Sequence, residues 1–154
     1  MGSTDDPFGT MDGFPTDPLG WLVALCSTMV RSGLTARFAE AGYNVTPEQW
    51  SILTHVWQTE GLTQQQLADR FHRSKVAAFH LITRLEEEGL LVRRPNPDDG
   101  RSKRIYLTAR GKSVVAELIP MAQANLDQAL EGVSQRDEEA AKAVMRRIIV
   151  NLKS

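Results

Sequence analysis

The chain has 154 residues, of which 42% are hydrophobic and 24% charged, a composition typical of one folded domain and not of a disordered chain. No uninterrupted apolar run approaches the roughly 18 residues that cross a bilayer. The N-terminus lacks the basic and apolar segments of a secretory signal, and the single cysteine, Cys26, excludes an internal disulfide. We therefore expect a cytoplasmic protein with no membrane contact.

The net charge of −1 conceals an uneven distribution. Residues 70–112 contain 11 Lys/Arg and 5 Asp/Glu, whereas the other residues contain 7 and 14. A local cationic surface can attract a polyanion even when the whole chain is nearly neutral. A solvated charged surface would produce the same imbalance.

The first segments are a predicted flexible tail and an apolar helix. Residues 1–15 are rich in Gly, Pro, Asp and Thr and have no periodicity, which predicts the tail. Asp17 as an N-cap and Pro18 in the first turn predict a helix over residues 18–41. A helix that buries one face needs one apolar stripe, so two stripes indicate burial against two partners. The stripes contain Leu22, Leu25, Cys26, Met29, Gly33 and Ala36, and Val23, Val30, Leu34, Phe38 and Ala41.

Three helices with recognisable caps are predicted next. Thr46-Pro47-Glu48-Gln49 combines an N-cap, a first-turn proline and a capping-box glutamine, and Thr63 with Gln66 repeats the capping box. Ser74 caps a third helix over residues 75–88, which Gly89 ends in a left-handed conformation. Its predicted inward positions are Ala78, Phe79, Ile82 and Leu85, and its outward ones include Lys75, Ala77, His80 and Arg84.

A hairpin and two helices complete the chain. Residues 90–94 and 103–107 are predicted strands, joined by a polar segment longer than a tight turn requires. Thr108 caps a helix to about residue 130, which Pro120 should kink. Ser134 caps the last helix.

Three short helices followed by a hairpin are the element order of a winged helix-turn-helix. The short turn between Phe71 and Ser74 favours the steep helix crossing of DNA-binding helix-turn-helix units. The third helix exposes cationic side chains, and Arg101, Lys103 and Arg104 lie at the hairpin tip. This arrangement predicts that the third helix and the hairpin tip both contact duplex DNA.

Five motifs in order resemble the MarR-type bacterial transcriptional regulators: TPEQW at 46–50, LTQQQLA at 62–68, LEEEGLLVR at 85–93, Asp99-Gly100-Arg101, and LTARG at 107–111. The resemblance covers residues 18–152. It implies a mostly α (α+β) fold, a winged helix-turn-helix with N- and C-terminal dimerisation helices. Residues 16–154 would form one domain, with the DNA-binding part at 46–108 and dimerisation helices at 17–43 and 109–154.

The resemblance also assigns DNA contacts. Arg101 of the wing would enter the minor groove, where negative potential is enhanced, with Asp99 holding it. The recognition helix would span residues 74–88. Its Ala77, Ala78 and Phe79 replace small hydroxylated residues, so we expect more reliance on DNA shape and phosphates. The expected DNA-binding residues are Thr63, Gln64, Arg73, Ser74, Lys75, Ala77, His80, Arg84, Asp99, Arg101, Lys103 and Arg104.

Four of these residues have a plainer alternative role. Thr63 and Ser74 could serve only as helix caps, although capping and phosphate contact are compatible. Arg84 could pair with Glu87 or Glu88 at helical spacing. His80 could be partly buried and uninvolved.

Members of this family commonly respond to small aromatic molecules. The aromatic residues that could line such an effector pocket are Trp21, Tyr43, Trp50 and Trp57, although aromatics at helical spacing are more often core residues. Cys26 lies in an apolar stripe and is expected to be an unreactive core thiol. His55, His72 and His80 are not spaced as metal ligands, so we expect no metal and no cofactor.

Together these features predict a homodimeric, ligand-responsive repressor on a pseudo-palindromic operator, with recognition helices roughly 34 Å apart. The alternative is a winged-helix adaptor that binds protein and not DNA, although an adaptor has no need for both a cationic helix and a cationic wing. No nucleophile–base pair, phosphate-binding glycine loop or metal-ligand set indicates an enzyme.

Overall fold

The computed structural model describes residues 18–71 and 74–153. The predicted tail and Asp17 lie outside these residues. The described part is mostly helical with one small sheet, which confirms the predicted fold class. Its elements are α1 (Leu19–Glu40), α2 (Pro47–Gln58), β1 (Leu62–Thr63), α3 (Gln64–Arg70), α4 (Lys75–Glu87), β2 (Leu91–Pro95), β3 (Lys103–Leu107), α5 (Ala109–Ala129) and α6 (Gln135–Leu152).

Helix starts follow the predicted caps in all but the first helix. In each case a Ser or Thr hydroxyl accepts a hydrogen bond from the backbone N–H three residues later, satisfying a donor that has no partner within the helix. In α1, Pro18 itself occupies the N-cap position and its side chain makes no capping bond. The confirmed caps are Thr46, Thr63, Ser74, Thr108 and Ser134.

The sheet has three antiparallel strands in the order β1-β3-β2. The two predicted strands form the hairpin, whereas β1 was not predicted, because two residues are too few to show an alternating pattern. Leu62 pairs with Ile105 and Thr63 with Arg104. The pairing therefore joins the start of α3 to the wing strand β3.

The winged unit and the first half of α5 share one hydrophobic core. α1 contributes Phe38 to it, and α5 contributes Val114, Val115 and Leu118. The predicted inward residues Ala78, Ile82 and Leu85 of α4 are buried. The remaining large core side chains are Val45, Ile52, Leu53, Val56, Leu62, Leu67, Leu90, Leu91, Ile105 and Leu107.

Phe79 was predicted to face the core, and this is wrong. Its side chain is 46% exposed. At 100° per residue, Phe79 lies well to one side of the line through Ala78 and Ile82. The guanidinium carbon of Arg93 in β2 lies 5.1 Å from the centroid of the Phe79 ring.

Much of the apolar surface of α1, α5 and α6 stays exposed in the single chain. Phe38 is the one buried residue of α1, and α6 has none. Cys26 is exposed, so the expectation of a core thiol is wrong for the isolated chain, although α5 meets the same stripe farther along at Gly33. The exposed large apolar residues here are Leu19, Trp21, Val23, Met29, Ile119, Leu126, Val144, Met145, Ile149, Val150 and Leu152.

α1 also bears on the expected lack of membrane contact. An 18-residue window of this helix has a mean hydropathy of 1.2, so by length and composition alone α1 could span a membrane. Continuous apolar runs miss this because polar residues interrupt the helix. The same test is met by core helices and signal sequences, so it is weak evidence for a span.

A buried asparagine side chain joins α5 to α1 through a hydrogen bond. Asn125 is buried, and its Nδ2 donates to the Val30 carbonyl oxygen at 3.0 Å. Its Oδ1 would lie 2.5 Å from a Cβ at position 33, so Gly33 permits the close approach. The two helices therefore cross at a specified point.

The junction between the wing and α5 depends on a glycine. The Thr108 N–H donates to the Leu90 carbonyl at 3.1 Å, and the Thr108 hydroxyl donates to the Gly89 carbonyl at 2.6 Å. Gly111 is buried, and a Cβ there would lie 2.0 Å from the Leu90 carbonyl oxygen. A backbone oxygen cannot move aside as a flexible side chain could.

Gly111→Ala should therefore destabilise the fold by about 1–3 kcal/mol, the usual cost of overpacking, measured by urea unfolding. Gly100→Ala is the matched control, since a Cβ at Gly100 would meet nothing within 4 Å. Equal midpoints for the two variants would contradict the tight junction.

Candidate nucleic-acid interface

The start of α3, the start of α4 and the tip of the hairpin meet around one surface depression of about 270 Å³. These segments are separate in sequence but adjacent in the fold because β1 pairs with β3. Cationic and polar side chains line the depression: Thr63, Gln64, Gln65, Lys75, Arg101, Ser102 and Lys103.

Capping hydrogen bonds fix the residues that begin α3 and α4. Thr63 Oγ1 accepts from the Gln66 N–H at 3.2 Å, and Ser74 Oγ accepts from the Ala77 N–H at 3.1 Å. The capping interpretation is therefore confirmed for both residues. α4 has 13 residues, and its N-terminus adds a partial positive charge beside Lys75.

The hairpin tip holds the Arg101 backbone and leaves its side chain exposed. Asp99 Oδ1 accepts from the Arg101 N–H at 3.0 Å, and the Asp99 carbonyl accepts from the Ser102 N–H at 3.1 Å. Within the described ranges the Arg101 guanidinium has no ion-pair partner. The carboxylate thus fixes the turn from which the arginine projects.

Asn96, which the sequence did not indicate, organises the rest of the tip. It is 8% exposed. Its Nδ2 donates to Ser102 Oγ at 2.8 Å, while its Oδ1 accepts from the Asp98 N–H at 3.1 Å and from Arg104 Nε at 2.9 Å. An Asn at the start of a polar loop, able to bond backbone two residues on, was the available signal.

Two of the expected DNA-contact arginines have partners within the chain. Arg104 pairs with Asp98 at 2.6 Å, and Arg84 pairs with Glu88 at 3.3 Å. The Arg84 pair is one of the two alternatives named for that residue. Exposed pairs of this kind contribute little stability, so each arginine can exchange its carboxylate for another anion.

The other expected contacts lie on α4 or beyond the described residues. Lys75 and His80 are exposed and Ala77 is half-buried. Arg73 lies outside the described residues. Gln65 and Ser102 were not predicted, yet both line the depression; each neighbours a predicted residue, which was the only signal in the sequence.

The four candidate effector residues do not gather in one place within a chain. Trp50 packs edge-on against Phe38 with ring centroids 5.2 Å apart. The Tyr43 hydroxyl donates to the Glu117 carboxylate, and this bond raises the pKa of Tyr43 above its ordinary value. Trp57 is 42% exposed at the end of α2. Trp21 lies roughly 25 Å along α1 from Phe38 at 1.5 Å per residue.

Histidine and cysteine side chains are dispersed. His55 Nδ1 lies 2.8 Å from the Ser51 carbonyl oxygen, and its ring stands edge-on to Phe71. His72 lies outside the described residues. In the part of the chain that the structure describes, no group of three or more His, Cys, Asp or Glu residues is placed to hold a metal ion.

Sequence comparison identifies relatives of the winged unit and of its flanking helices. The MarR family model matches residues 45–103, which run from the start of α2 to the start of β3. The transcriptional regulator HosA of Escherichia coli O111:H- is 24% identical over 115 residues, 75% of this chain and 85% of HosA.

Solved structures share the fold over most of the chain. A mutant MarR from Escherichia coli complexed with operator DNA superposes with a TM-score of 0.79 and 18% identity, covering 85% of this chain and 93% of MarR. CouR from Rhodococcus jostii RHA1 bound to p-coumaroyl-CoA gives 0.75 and 22%, covering 86% and 91%. Both alignments extend well beyond residues 45–103.

Asn96→Ala should loosen the hairpin tip, because the Asp98 N–H loses its acceptor and Arg104 loses a bond. We expect a loss of about 1–3 kcal/mol of unfolding free energy. We also expect roughly tenfold faster amide hydrogen exchange at Asp98. Asn44→Ala, at an exposed loop position, is the control. Unchanged exchange at Asp98 would show that Asn96 does not organise the tip.

Proposed function

We propose that the chain is a member of the MarR family of transcriptional regulators, which are not enzymes, and that it represses transcription as a homodimer bound to operator DNA. We infer that a small, aromatic effector releases the DNA. Because the proposed partner is bacterial operator DNA, we propose that the protein acts in the cytoplasm.

The observation that carries the proposal is the shared depression between α3, α4 and the hairpin. Three separate segments bring Lys75, Arg101 and Lys103 to one surface. Phosphate groups are bound by lysines, arginines and helix N-termini, and a recognition helix contacts base edges through its N-terminal residues. The geometry therefore suits α4 in the major groove with the hairpin tip beside it.

The wing supports a minor-groove role for Arg101. Asp99 fixes the Arg101 backbone, so the side chain extends from a defined turn into solvent. A narrow minor groove attracts an inserted guanidinium because its negative potential is enhanced. Lys103 and Arg104 then lie where the flanking phosphates would pass.

Exposed apolar surface supports the homodimer. α6 places no side chain in the core of its own chain, and five of its large apolar residues are at least half exposed. Such a surface favours burial against a second copy. A two-fold pair would set the recognition helices roughly one DNA turn apart, which matches a pseudo-palindromic operator.

The same pairing accounts for the apolar character of α1 without a membrane. Arg31 pairs with Glu48 of α2, and Arg37 donates to Gln128 of α5 at 2.6 Å. These contacts hold α1 against its own domain. A second copy, and not lipid, would cover its outer stripe, including Cys26.

We propose that the dimer represses transcription and that an effector releases it from DNA. A dimer bound across a promoter excludes other proteins from the same DNA, so we infer a repressor. An effector releases DNA if it binds better to a dimer whose winged units are wrongly spaced. Crystallised CouR holds an aromatic thioester, p-coumaroyl-CoA, which supports an aromatic effector here. Tyr43 and Trp50, which lie near Phe38, are its proposed contacts, with Trp21 supplied by the other copy and Trp57 at the rim.

Arg101→Ala should weaken binding to nonspecific duplex and make its salt dependence shallower. Each lost DNA contact lowers the slope of log K against log salt by about 0.9, so a dimer with two wings should lose about 1.8. Fluorescence anisotropy across a salt series measures this slope.

Arg136→Ala, which removes an exposed arginine at the start of α6, is the matched control and should leave the slope unchanged. If Arg101→Ala also leaves the slope unchanged, the wing does not contact DNA. A protein-binding adaptor would then be the better interpretation.

Met145→Asp should convert the dimer to a monomer, because it places a charge in the proposed apolar interface. Ala143→Asp adds the same charge 200° around α6, one helical turn from the charged residues Glu139 and Arg147, and should leave the dimer intact. Light scattering gives the masses. A wild-type monomer, or two dimeric variants, would contradict the proposed interface.

A further inference from the structure

The outward side of α4 carries two exposed apolar side chains. Val76 is 65% exposed and Phe79 is 46% exposed. Residues three apart are neighbours on one side of a helix, so the two form a continuous apolar strip. Neither side chain fills the core, since Ala78, Ile82 and Leu85 occupy the inward positions.

The Phe79 ring is held in place by its surroundings. The Arg93 guanidinium stands 5.1 Å from the ring centroid, and it is itself fixed by an ion pair with Glu86 and a 2.9 Å hydrogen bond to the Thr83 hydroxyl. The His80 ring stands edge-on to the Phe79 ring, with ring centroids 5.9 Å apart. An ordered side chain loses little conformational entropy when it contacts a partner.

The charges around the strip identify the kind of partner. Lys75 precedes Val76 and shares the depression with Arg101 and Lys103. A polyanion that also offers small apolar groups complements this surface. In duplex DNA the phosphates line the groove rims, and the apolar group on the floor of the major groove is the C5-methyl of thymine.

We propose that Val76 and Phe79 recognise thymine methyl groups in the major groove, so that α4 reads its half-site largely by apolar contact. This readout depends on the DNA binding proposed above. It supplies direct sequence recognition to a helix that has few hydrogen-bonding side chains. Each half-site would therefore require a thymine, or an equivalent 5-methylcytosine, beneath α4.

The test begins with selection of bound duplexes from a random DNA pool by the full-length protein. Each thymine of the selected half-site is then replaced by deoxyuridine, which removes only the methyl group. One or two positions should bind about fourfold more weakly, since a buried methyl contributes about 0.8 kcal/mol and 1.4 kcal/mol is a factor of ten. When such a thymine is replaced by cytosine, a duplex with 5-methylcytosine at that position should bind more tightly than the duplex with unmethylated cytosine.

Variants assign the methyl contacts to residues. Val76→Ser and Phe79→Ser should each abolish the deoxyuridine effect at one position, with nonspecific binding kept. Val133→Ser is the control, because Val133 is 46% exposed but lies outside α4, and it should keep the full effect. Val76 is the more exposed of the two α4 residues, so its replacement should disturb the fold less. The deoxyuridine experiment on the wild-type protein requires no variant.

Three results would overturn the methyl readout. Selected duplexes that bind equally well with deoxyuridine would exclude it while leaving the proposed DNA-binding function intact. A loss of self-association in Val76→Ser and Phe79→Ser, with DNA recognition unchanged, would assign the strip to contact between copies. Failure to retain any duplex from the pool would reject the proposed function itself.

Discussion

The antiparallel pairing of β1 with β3 is the constraint on which the cationic surface depends. Only two residue pairs are involved, Leu62 with Ile105 and Thr63 with Arg104. Leu62 and Ile105 are buried in the core, so the pairing is held by packing as well as by backbone bonds. It sets the wing beside the start of α3, and the Arg93–Glu86 ion pair adds a second connection between the hairpin and α4.

One part of the chain buries its apolar residues and another part leaves them exposed. The winged unit and the first half of α5 bury their apolar residues together, so this part has a core of its own. α6 and the outer side of α1 do not, and their exposed apolar side chains favour a second copy. Asn125 and Gly33 fix how α1 crosses α5. In the proposed homodimer, that crossing would transmit the interface geometry to the spacing of the two winged units.

Local signals predicted most of the fold, and long-range contacts account for what they missed. Caps such as Thr46 and Ser74 satisfy backbone donors within one turn, so their effect is visible in sequence. β1 was missed because its existence depends on a partner strand about 40 residues away. Phe79 was assigned to the core because its hydrophobicity says nothing about the Arg93 side chain that supports it outside. The Asn96 network likewise depends on loop geometry that composition does not specify.

Two copies of this chain are proposed to bind one duplex through α4 and the wing. Hydroxyl-radical footprinting on a selected duplex would reveal this arrangement. Two protected segments related by two-fold symmetry are expected, their centres roughly 34 Å or one helical turn apart, with minor-groove protection on the outer flank of each from Arg101. A single unpaired footprint, or uniform cleavage at saturating protein, would contradict this arrangement.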